Sequence, residues 1–217
     1  MDNFSEQAKD VATPATQPVA PRWKGAQSRG PLTRLNERCM DLLIDAAATN
    51  SPQTTLAVLI EHRRLWIRLD SPARERVAQM PFLIADAQFD DERRWTAITK
   101  GEPVTSDDSG LPRAISEALM LEVLMFAWQL ANADRRTAII SLGMAASVAD
   151  AIAALTPQAI RDIARQECGS VQLRWTCDLR FWGDLLLAAQ NADEEKLSEL
   201  SLQAGLLLCS VLAKIKK

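Results

Sequence analysis

The stretch from Arg113 to Asn132 is so apolar that it limits which folds this chain can adopt. Its large apolar residues recur every three or four positions, and this spacing predicts an α-helix. The main stripe consists of Leu119, Val123, Phe126 and Leu130, and it is widened by Met120, Leu124 and Trp128. So wide a stripe presents more apolar surface than one neighbouring helix usually covers. We therefore expect this helix to be buried against further helices or against a second subunit.

Helical patterning continues along most of the chain. Apolar residues at helical spacing begin near Leu32, and the pairs Ser71-Pro72 and Thr156-Pro157 are typical of helix starts. Only two short segments, near 82–89 and 171–175, have the pattern of extended chain. The sequence therefore predicts an all-α protein, a multi-helix bundle with two short extended segments.

Composition divides the chain into four segments. Residues 1–30 contain proline, alanine, threonine and glutamine without periodicity, and we interpret them as a disordered tail. Residues 31–99 are expected to form an N-terminal helical unit, and residues 113–217 a C-terminal one. Between them, segment 100–112 includes KGEPVTSDDSG, whose glycine, proline and serine residues predict a linker.

The two helical units contain segments that resemble each other. LDSPARERVAQMPFLIADAQFDDERRWTAI (69–98) and LTPQAIRDIARQECGSVQLRWTCDLRFWGDLL (155–186) share an order of signals. Each has a proline-marked helix start, a helix, an extended stretch, an acid and a helix with tryptophan. At an offset of 86 residues, with one residue inserted, Trp95 aligns with Trp182. Identical residues are few, so a duplication and a coincidence of amphipathic patterning both stay open. A duplication predicts that the halves pack as a pseudo-symmetric pair.

The overall composition argues against several classes of function. A net charge of −3 excludes a generally basic surface for nucleic acid. The four cysteines lack C-x-x-C spacing, the one histidine, His62, has no nucleophile spaced to use it, and no glycine-rich phosphate loop occurs. We therefore predict a protein that is not an enzyme and that uses no metal or cofactor. We find no signal peptide and no apolar run long enough to span a membrane, so we expect a cytoplasmic protein without membrane contact.

The sequence SLGMAASVADAIAAL (141–155) has the outline of a helix-turn-helix around Gly143. The second helix of such a motif must present Arg, Lys, Asn or Gln to base edges. Here that helix has none of these residues and carries one acid, Asp150. The pattern favours a tightly packed, alanine-rich helical corner. Any role at DNA would then be indirect, through a partner that supplies the base contacts.

Several arginines lie beside this corner or beside tryptophans and are candidates for a basic patch that binds phosphate or RNA. The candidates are Arg135, Arg136, Arg174 and Arg180, and Arg93-Arg94 lie beside Trp95 in the same way. Arginine stems that cover aromatic edges explain the same pattern, and we favour that interpretation. The acidic clusters at 90–92 and 193–195 stand at helix starts, where capping and the helix dipole already explain them.

A set of short motifs in the second half carries a resemblance to a known family. LMFAWQLANADRRTAIISLGMAASVADAIAALTPQAIRDIAR (124–165) has a long apolar helix, a short charged break and a helix ending in Leu142-Gly143. Ala149-Asp150, Leu155-Thr156 and Pro157-Gln158 follow, then VQLRW (171–175) and LQAGLLLCSVL (202–212). In these features residues 114–215 resemble the FlhD family, the small helical subunits of the bacterial flagellar master regulator. The chain departs from the family at Ser141, where arginine is typical, and at Val171, which replaces the cysteine of an intersubunit disulfide.

The resemblance implies a helical dimerisation module whose partner, FlhC, contributes much of the DNA contact. Our first hypothesis is a bacterial, non-enzymatic regulatory protein in flagellar transcriptional regulation that acts through protein–protein contacts. Its partner would be an FlhC-like or other regulator, and it would also be able to form a homodimer. The alternative is a helical adaptor or chaperone-like interaction protein in secretion or motility, with no role at DNA. The candidate interface residues are Leu119, Val123, Phe126, Leu130, Leu173, Trp175 and Trp182.

Overall fold

The computed structural model describes residues 30–105 and 108–215. Within these ranges the chain forms eleven α-helices, one 3-10 helix and a sheet of two short strands. The prediction of an all-α multi-helix fold is therefore confirmed. Residues 1–29 of the predicted disordered tail lie outside the described residues.

The elements follow the same order in the two halves of the chain. The first half runs through α1 (Pro31–Thr49), α2 (Ala57–Glu61), α3 (Arg63–Arg68), α4 (Ser71–Ala78), β1 (Ala85–Asp86) and α5 (Glu92–Lys100). The second half runs through α6 (Arg113–Ala133), α7 (Arg135–Leu142), α8 (Ala146–Ala153), α9 (Pro157–Gln166), β2 (Gln172–Leu173) and α10 (Leu179–Gln190). A 3-10 helix (Cys168–Ser170) precedes β2, and α11 (Glu194–Ile215) follows α10. Each half thus has four helices, a strand and a helix, and the repeated sequence signals had predicted the last three of these elements, from α4 to α5 and from α9 to α10.

The two strands join the halves of the chain to each other. They pair antiparallel, with Ala85 opposite Leu173 and Asp86 opposite Gln172. Both lie within the segments predicted to be extended. Trp175, which the alternating pattern placed in the second segment, has a φ of +56° and lies beyond the strand. This left-handed residue ends the extended chain and turns it towards α10.

Helix α6 is the central helix of the second half. It contacts α1, α7, α8, α9 and the 3-10 helix. Its buried residues are Ser116, Leu119, Met120, Val123, Leu124, Ala127 and Ala131. By length and composition α6 is apolar enough to cross a membrane, with a mean hydropathy of 1.4 in its best window. The prediction that no apolar run has this length is therefore wrong, and 39% of this window is buried inside the chain.

A single apolar core runs through both halves. Helix α10 contacts α2, α3 and α4 of the first half, and the rings of Trp66 and Trp182 lie 5.5 Å apart. The segment predicted as a linker is packed as well, because the Gly110 carbonyl accepts hydrogen bonds from the backbone N–H groups of Thr55 and Leu56, at 2.9 and 3.0 Å. Gly110 has a φ of +68°, and a Cβ there would lie 2.8 Å from the Leu56 nitrogen. The segment therefore separates the two units in sequence but not in space.

The resemblance between the halves extends to particular hydrogen bonds at the helix starts. Asp70 caps α4 by accepting from the Ala73 N–H at 2.8 Å, and Thr156 caps α9 by accepting from the Ala159 N–H at 3.2 Å. The pattern predicted Ser71 as the first cap. Asp70 has this role instead, because its carboxylate bonds the first turn while Ser71 is already helical.

The connection from each strand to the next helix is repeated in the same detail. Gln88 and Trp175 both adopt left-handed φ values, +55° and +56°. Three residues later, Asp91 and Asp178 cap α5 and α10. The indole of Trp95 donates to the Ala87 carbonyl at 3.2 Å, and the indole of Trp182 donates to the Arg174 carbonyl at 2.8 Å, each eight residues earlier. Amphipathic patterning alone does not require agreement at this level.

Candidate protein-interaction site at the α7–α8 corner

Helices α7 and α8 form the corner that the sequence predicted around Gly143. Asp134 starts α7, and its carboxylate accepts from the backbone N–H groups of Arg136 and Thr137 at 3.0 and 3.1 Å. The Thr137 hydroxyl donates to the same carboxylate, and this bond together with the backbone bonds lowers the pKa of Asp134. Gly143 ends α7 with a φ of +66°, which glycine adopts without the steric cost of a Cβ. The corner is therefore defined by a strong helix start and a glycine stop.

The side chain of Arg174 connects this corner to the first half of the chain through hydrogen bonds and an ion pair. Its guanidinium is 7% exposed and donates to the Leu142 carbonyl at the end of α7, at 2.6 Å. The same side chain donates to the Leu83 carbonyl at 2.9 Å and forms an ion pair of 3.3 Å with Asp86. Because Leu83 and Asp86 belong to the first half, Arg174 holds α7 against both halves of the fold.

Asp86 is the acidic partner in this contact, and its side chain is 25% exposed. Burial raises the pKa of Asp86, and Arg174 opposes this by favouring the charged carboxylate. Asp90 adds to the rise through like-charge repulsion. The ion pair therefore keeps the Asp86 carboxylate charged at a site where burial disfavours the charge. Removing either side chain would leave the other charge without its partner.

The outer face of α8 offers no base-reading donors. Its exposed positions are Ala146, Ser147 and Asp150. Arg135 donates to both carboxylate oxygens of Asp150, at 2.5 and 2.8 Å, and this hydrogen bonding lowers the pKa of Asp150. The face therefore presents methyl groups, a hydroxyl and a paired carboxylate rather than the donors that read bases in a groove.

Of the candidate interface residues, four lie in the intramolecular core. Leu119, Val123, Leu173 and Trp182 are 0 to 2% exposed. A periodic apolar stripe identifies which residues are buried, but it does not identify the surface that buries them. Here other elements of the same chain bury these four residues. Phe126, Leu130 and Trp175 are half-buried at the edge of the core. An interface that leaves the fold intact can therefore use only these three.

The candidate basic patch divides in the same way. Arg174 is buried on carbonyl groups and Asp86, and Arg135 is paired with Asp150, whereas Arg136 and Arg180 are exposed. Arg94 is also buried, in an ion pair of 2.6 Å with Glu167. The interpretation that these arginines only cover aromatic edges is wrong for Arg174 and Arg94, because both serve as buried hydrogen-bonding centres.

One exposed apolar residue at the corner was not singled out from the sequence. Ile140, on α7, is 65% exposed, and Arg136 lies one helical turn before it. The burial of Ala138 and Leu142 sets the phase of the helix, which turns Ile140 outward. An amphipathic count over this short helix would have identified it.

The remaining chemistry-bearing residues have structural roles. His62 donates its ring N–H to the Leu179 carbonyl at 2.7 Å. Asp193 caps the start of α11 through the Lys196 N–H at 3.0 Å. Within 30–105 and 108–215, no group of three or more His, Cys, Asp or Glu side chains is arranged to hold a metal ion.

Comparison with protein families agrees with the architecture of the second half. Residues 108–213 match the model of the FlhD family, whose description is flagellar transcriptional activator. The match covers α6 through most of α11, which is just under half of the chain. The resemblance predicted for 114–215 is confirmed, and the second half of the chain is FlhD-like. No curated protein and no solved structure matches the sequence.

Proposed function

We propose that this chain is a regulatory subunit in flagellar transcription that works through an FlhC-like protein partner, and that the partner makes the base contacts. The observation that carries the proposal is the FlhD match across 108–213. The outer face of α8 supports the division of labour, because Ala146, Ser147 and the paired Asp150 offer no donors for base edges. Such a subunit works in the cytoplasm and is not an enzyme.

The partner surface we propose lies on α6 and α7. Phe126 and Leu130 are half-buried on α6, and Ile140 is the most exposed large apolar residue of α7. Exposed Arg136 adds a charge at the rim. Apolar residues with a charged rim are typical of protein-binding surfaces. A homodimer through the same residues is the second use we propose for this surface.

The first experiment measures fluorescence anisotropy of a labelled flagellar promoter duplex with the full chain, an FlhC-like protein, and both. We expect specific binding only when both proteins are present. The chain alone should bind weakly or not at all, at low and at physiological salt. Strong, salt-dependent binding by the chain alone would contradict the proposed division of labour, because it would show that this chain neutralises phosphates itself.

A second experiment tests the surface. The full-length tagged chain is compared with Phe126→Asp and Ile140→Asp in pull-downs analysed by mass spectrometry. Gln129→Asp is the matched control, because Gln129 is an exposed polar residue of α6. We expect both apolar variants to lose a transcriptional regulator that wild type and control retain, with unchanged circular dichroism. Light scattering on the same variants reports whether a homodimer is lost.

The outcome also separates the two hypotheses. If the wild-type chain captures secretion or motility components and no transcription factor or polymerase component, the adaptor or chaperone-like function replaces the regulatory one. Ile140 is 65% exposed, so Ile140→Asp has little effect on folding and keeps the test valid if Phe126→Asp unfolds the chain.

A further inference from the structure

Helix α11 has an outward face that combines acids with leucines. Leu202 and Leu206 are 70% and 73% exposed, the highest values among the large apolar side chains that the structure describes. Exposed Glu195 and Glu199 precede them, so the four residues follow each other at steps of four, three and four positions. At this spacing they share one side of the helix. We call Glu195, Glu199, Leu202 and Leu206 the acidic face.

Helices α2 and α3 have an outward face of the opposite charge. Ile60 and Ile67 are 57% and 45% exposed, and exposed Arg64 and Arg68 lie between and beside them. Arg64, Ile67 and Arg68 belong to α3, and Ile60 lies one turn earlier in the chain, on α2. We call Ile60, Arg64, Ile67 and Arg68 the basic face. It lies outside the region that matches the FlhD family.

The charges on these faces are largely uncompensated within the chain. Among residues 30–105 and 108–215, no ion pair involves Arg64, Arg68 or Glu195. Glu199 pairs with Lys196 of its own helix at 3.0 Å, and exposed Glu61 lies beside Ile60. The leucines and isoleucines are exposed, so the two faces do not cover each other within one chain. Each face is therefore free to meet a complementary surface on another molecule.

We propose that the acidic face of one copy of this chain docks antiparallel on the basic face of a second copy. In an α-helix four residues span about 6 Å, so the separation of Glu195 and Glu199 equals that of Arg68 and Arg64. Antiparallel docking places each glutamate opposite an arginine, and it brings Leu202 and Leu206 to Ile60. Parallel docking also pairs the charges, Glu195 with Arg64 and Glu199 with Arg68, but it leaves Leu202 and Leu206 beyond the end of α3 and away from Ile60.

Both faces occur on every copy, and the arrangement proposed here has two copies make the contact twice, once in each direction, so that the pair closes as a two-fold dimer. The same contact made only once per pair would leave one face of each copy open and would extend into a ring or a filament. Each contact involves only a few side chains, which is typical of weak, transient interfaces. Exposed charges also make the association sensitive to salt. This contact uses none of the residues proposed for the transcriptional partner, so either proposal can fail without the other.

The test measures the mass of the purified full chain by sedimentation velocity over a range of concentrations, at low and high salt. We expect a monomer–dimer equilibrium in which high salt raises the dissociation constant about tenfold. The variants Arg64→Glu/Arg68→Glu and Glu195→Arg/Glu199→Arg should each be monomeric, because every contact then joins like charges. The control, Arg93→Glu/Arg161→Glu, reverses two exposed arginines elsewhere and should dimerise like wild type.

Mixing the two reversed variants gives the sharpest result. Each contact in a mixed dimer joins opposite charges again, so the mixture should recover dimer that neither variant forms alone. A wild-type chain that stays monomeric, or folded variants whose mixture shows no dimer, would overturn the proposal. A dimer that survives both reversals would also overturn it, because the copies would then meet through another surface. Circular dichroism of each variant verifies folding.

Discussion

Replacing Arg174 with methionine should destabilise the fold far more than replacing an exposed arginine such as Arg136. The change removes the donor to the Leu142 and Leu83 carbonyls and leaves Asp86 without its ion-pair partner. Breaking a buried ion pair by removing one member costs about 3 to 5 kcal/mol. The Asp86 side chain is 25% exposed, so solvent offsets part of the cost, and we expect about 3 kcal/mol. Methionine fills much of the space of the arginine stem, which limits cavity formation.

The loss should depend on pH with a defined sign. Burial raises the pKa of Asp86 above its ordinary value of 3.8, and Arg174 limits this rise. A group whose folded-state pKa is raised contributes stability below its unfolded pKa and loses this contribution as pH increases through the folded pKa. Without Arg174 the pKa of Asp86 rises further, so the variant should be most destabilised near neutral pH. The difference from wild type should shrink as the pH falls through that raised pKa.

Urea unfolding followed by far-ultraviolet circular dichroism, at neutral and at mildly acidic pH, measures both effects. The double variant Arg174→Met/Asp86→Asn should regain part of the lost stability at neutral pH, because no charge remains unpaired. The control is Arg136→Met, which changes an exposed arginine. A loss below about 1 kcal/mol, or an equal loss at both pH values, would refute the role we give to this ion pair.

Two further predictions concern the corner and the repeated tryptophans. Gly143→Ala should lower the free energy of unfolding by about 1 kcal/mol, measured with urea, because Gly143 has a φ of +66° that alanine adopts only with strain. A Cβ at this position would lie 3.6 Å from its nearest atom, so a steric clash adds nothing to this effect. Gly205→Ala, in open space on α11, is the control and should not destabilise, and equal effects would contradict the argument from φ. Trp95→Phe and Trp182→Phe should each lower the free energy of unfolding by about 2 kcal/mol. Each change removes the indole N–H and leaves a buried carbonyl, of Ala87 or of Arg174, without this donor. If only one of the two variants is destabilised, the repeated indole hydrogen bond does not contribute equally to stability in the two halves.

Periodicity in the sequence predicted the class of fold and the position of both strands, because helical and extended spacing are local properties. The residue types alone also show that the helix after Gly143 contains no Arg, Lys, Asn or Gln to present to base edges. Periodicity did not predict that Leu119, Val123 and Trp182 would be covered within one chain, because coverage depends on how distant segments meet.

The burial of Arg174 illustrates the same limit. Its alternation with Leu173 and Trp175 indicated an outward side chain. In the fold, the left-handed turn at Trp175 ends the strand, and the guanidinium enters a pocket of carbonyl oxygens from Leu83 and Leu142. Those acceptors are 91 and 32 residues away in sequence. No local pattern could have placed them there.

The contacts between the halves bear on the duplication that the sequence left open. If α1 to α5 correspond to α6 to α10 in order, then α3 corresponds to α8 and α5 to α10. Helix α5 contacts α8, and helix α10 contacts α3, so these two contacts are equivalent and reciprocal. Helix α1 contacts its own counterpart α6, and β1 pairs with its counterpart β2.

Reciprocal contacts of this kind define a two-fold axis. With Gln88 matched to Trp175 by their left-handed φ values and Trp95 to Trp182, an offset of 87 residues, Ala85 corresponds to Gln172 and Asp86 to Leu173. The pair of Ala85 with Leu173 is then exchanged with the pair of Asp86 with Gln172, so the axis passes through the centre of the ladder. Chance similarity between amphipathic segments gives no reason for the axis to fall there. These contacts are the ones expected if the two halves are diverged copies of one unit, and superposing residues 32–99 on 114–186 tests that hypothesis, since a different helix order or handedness would contradict it.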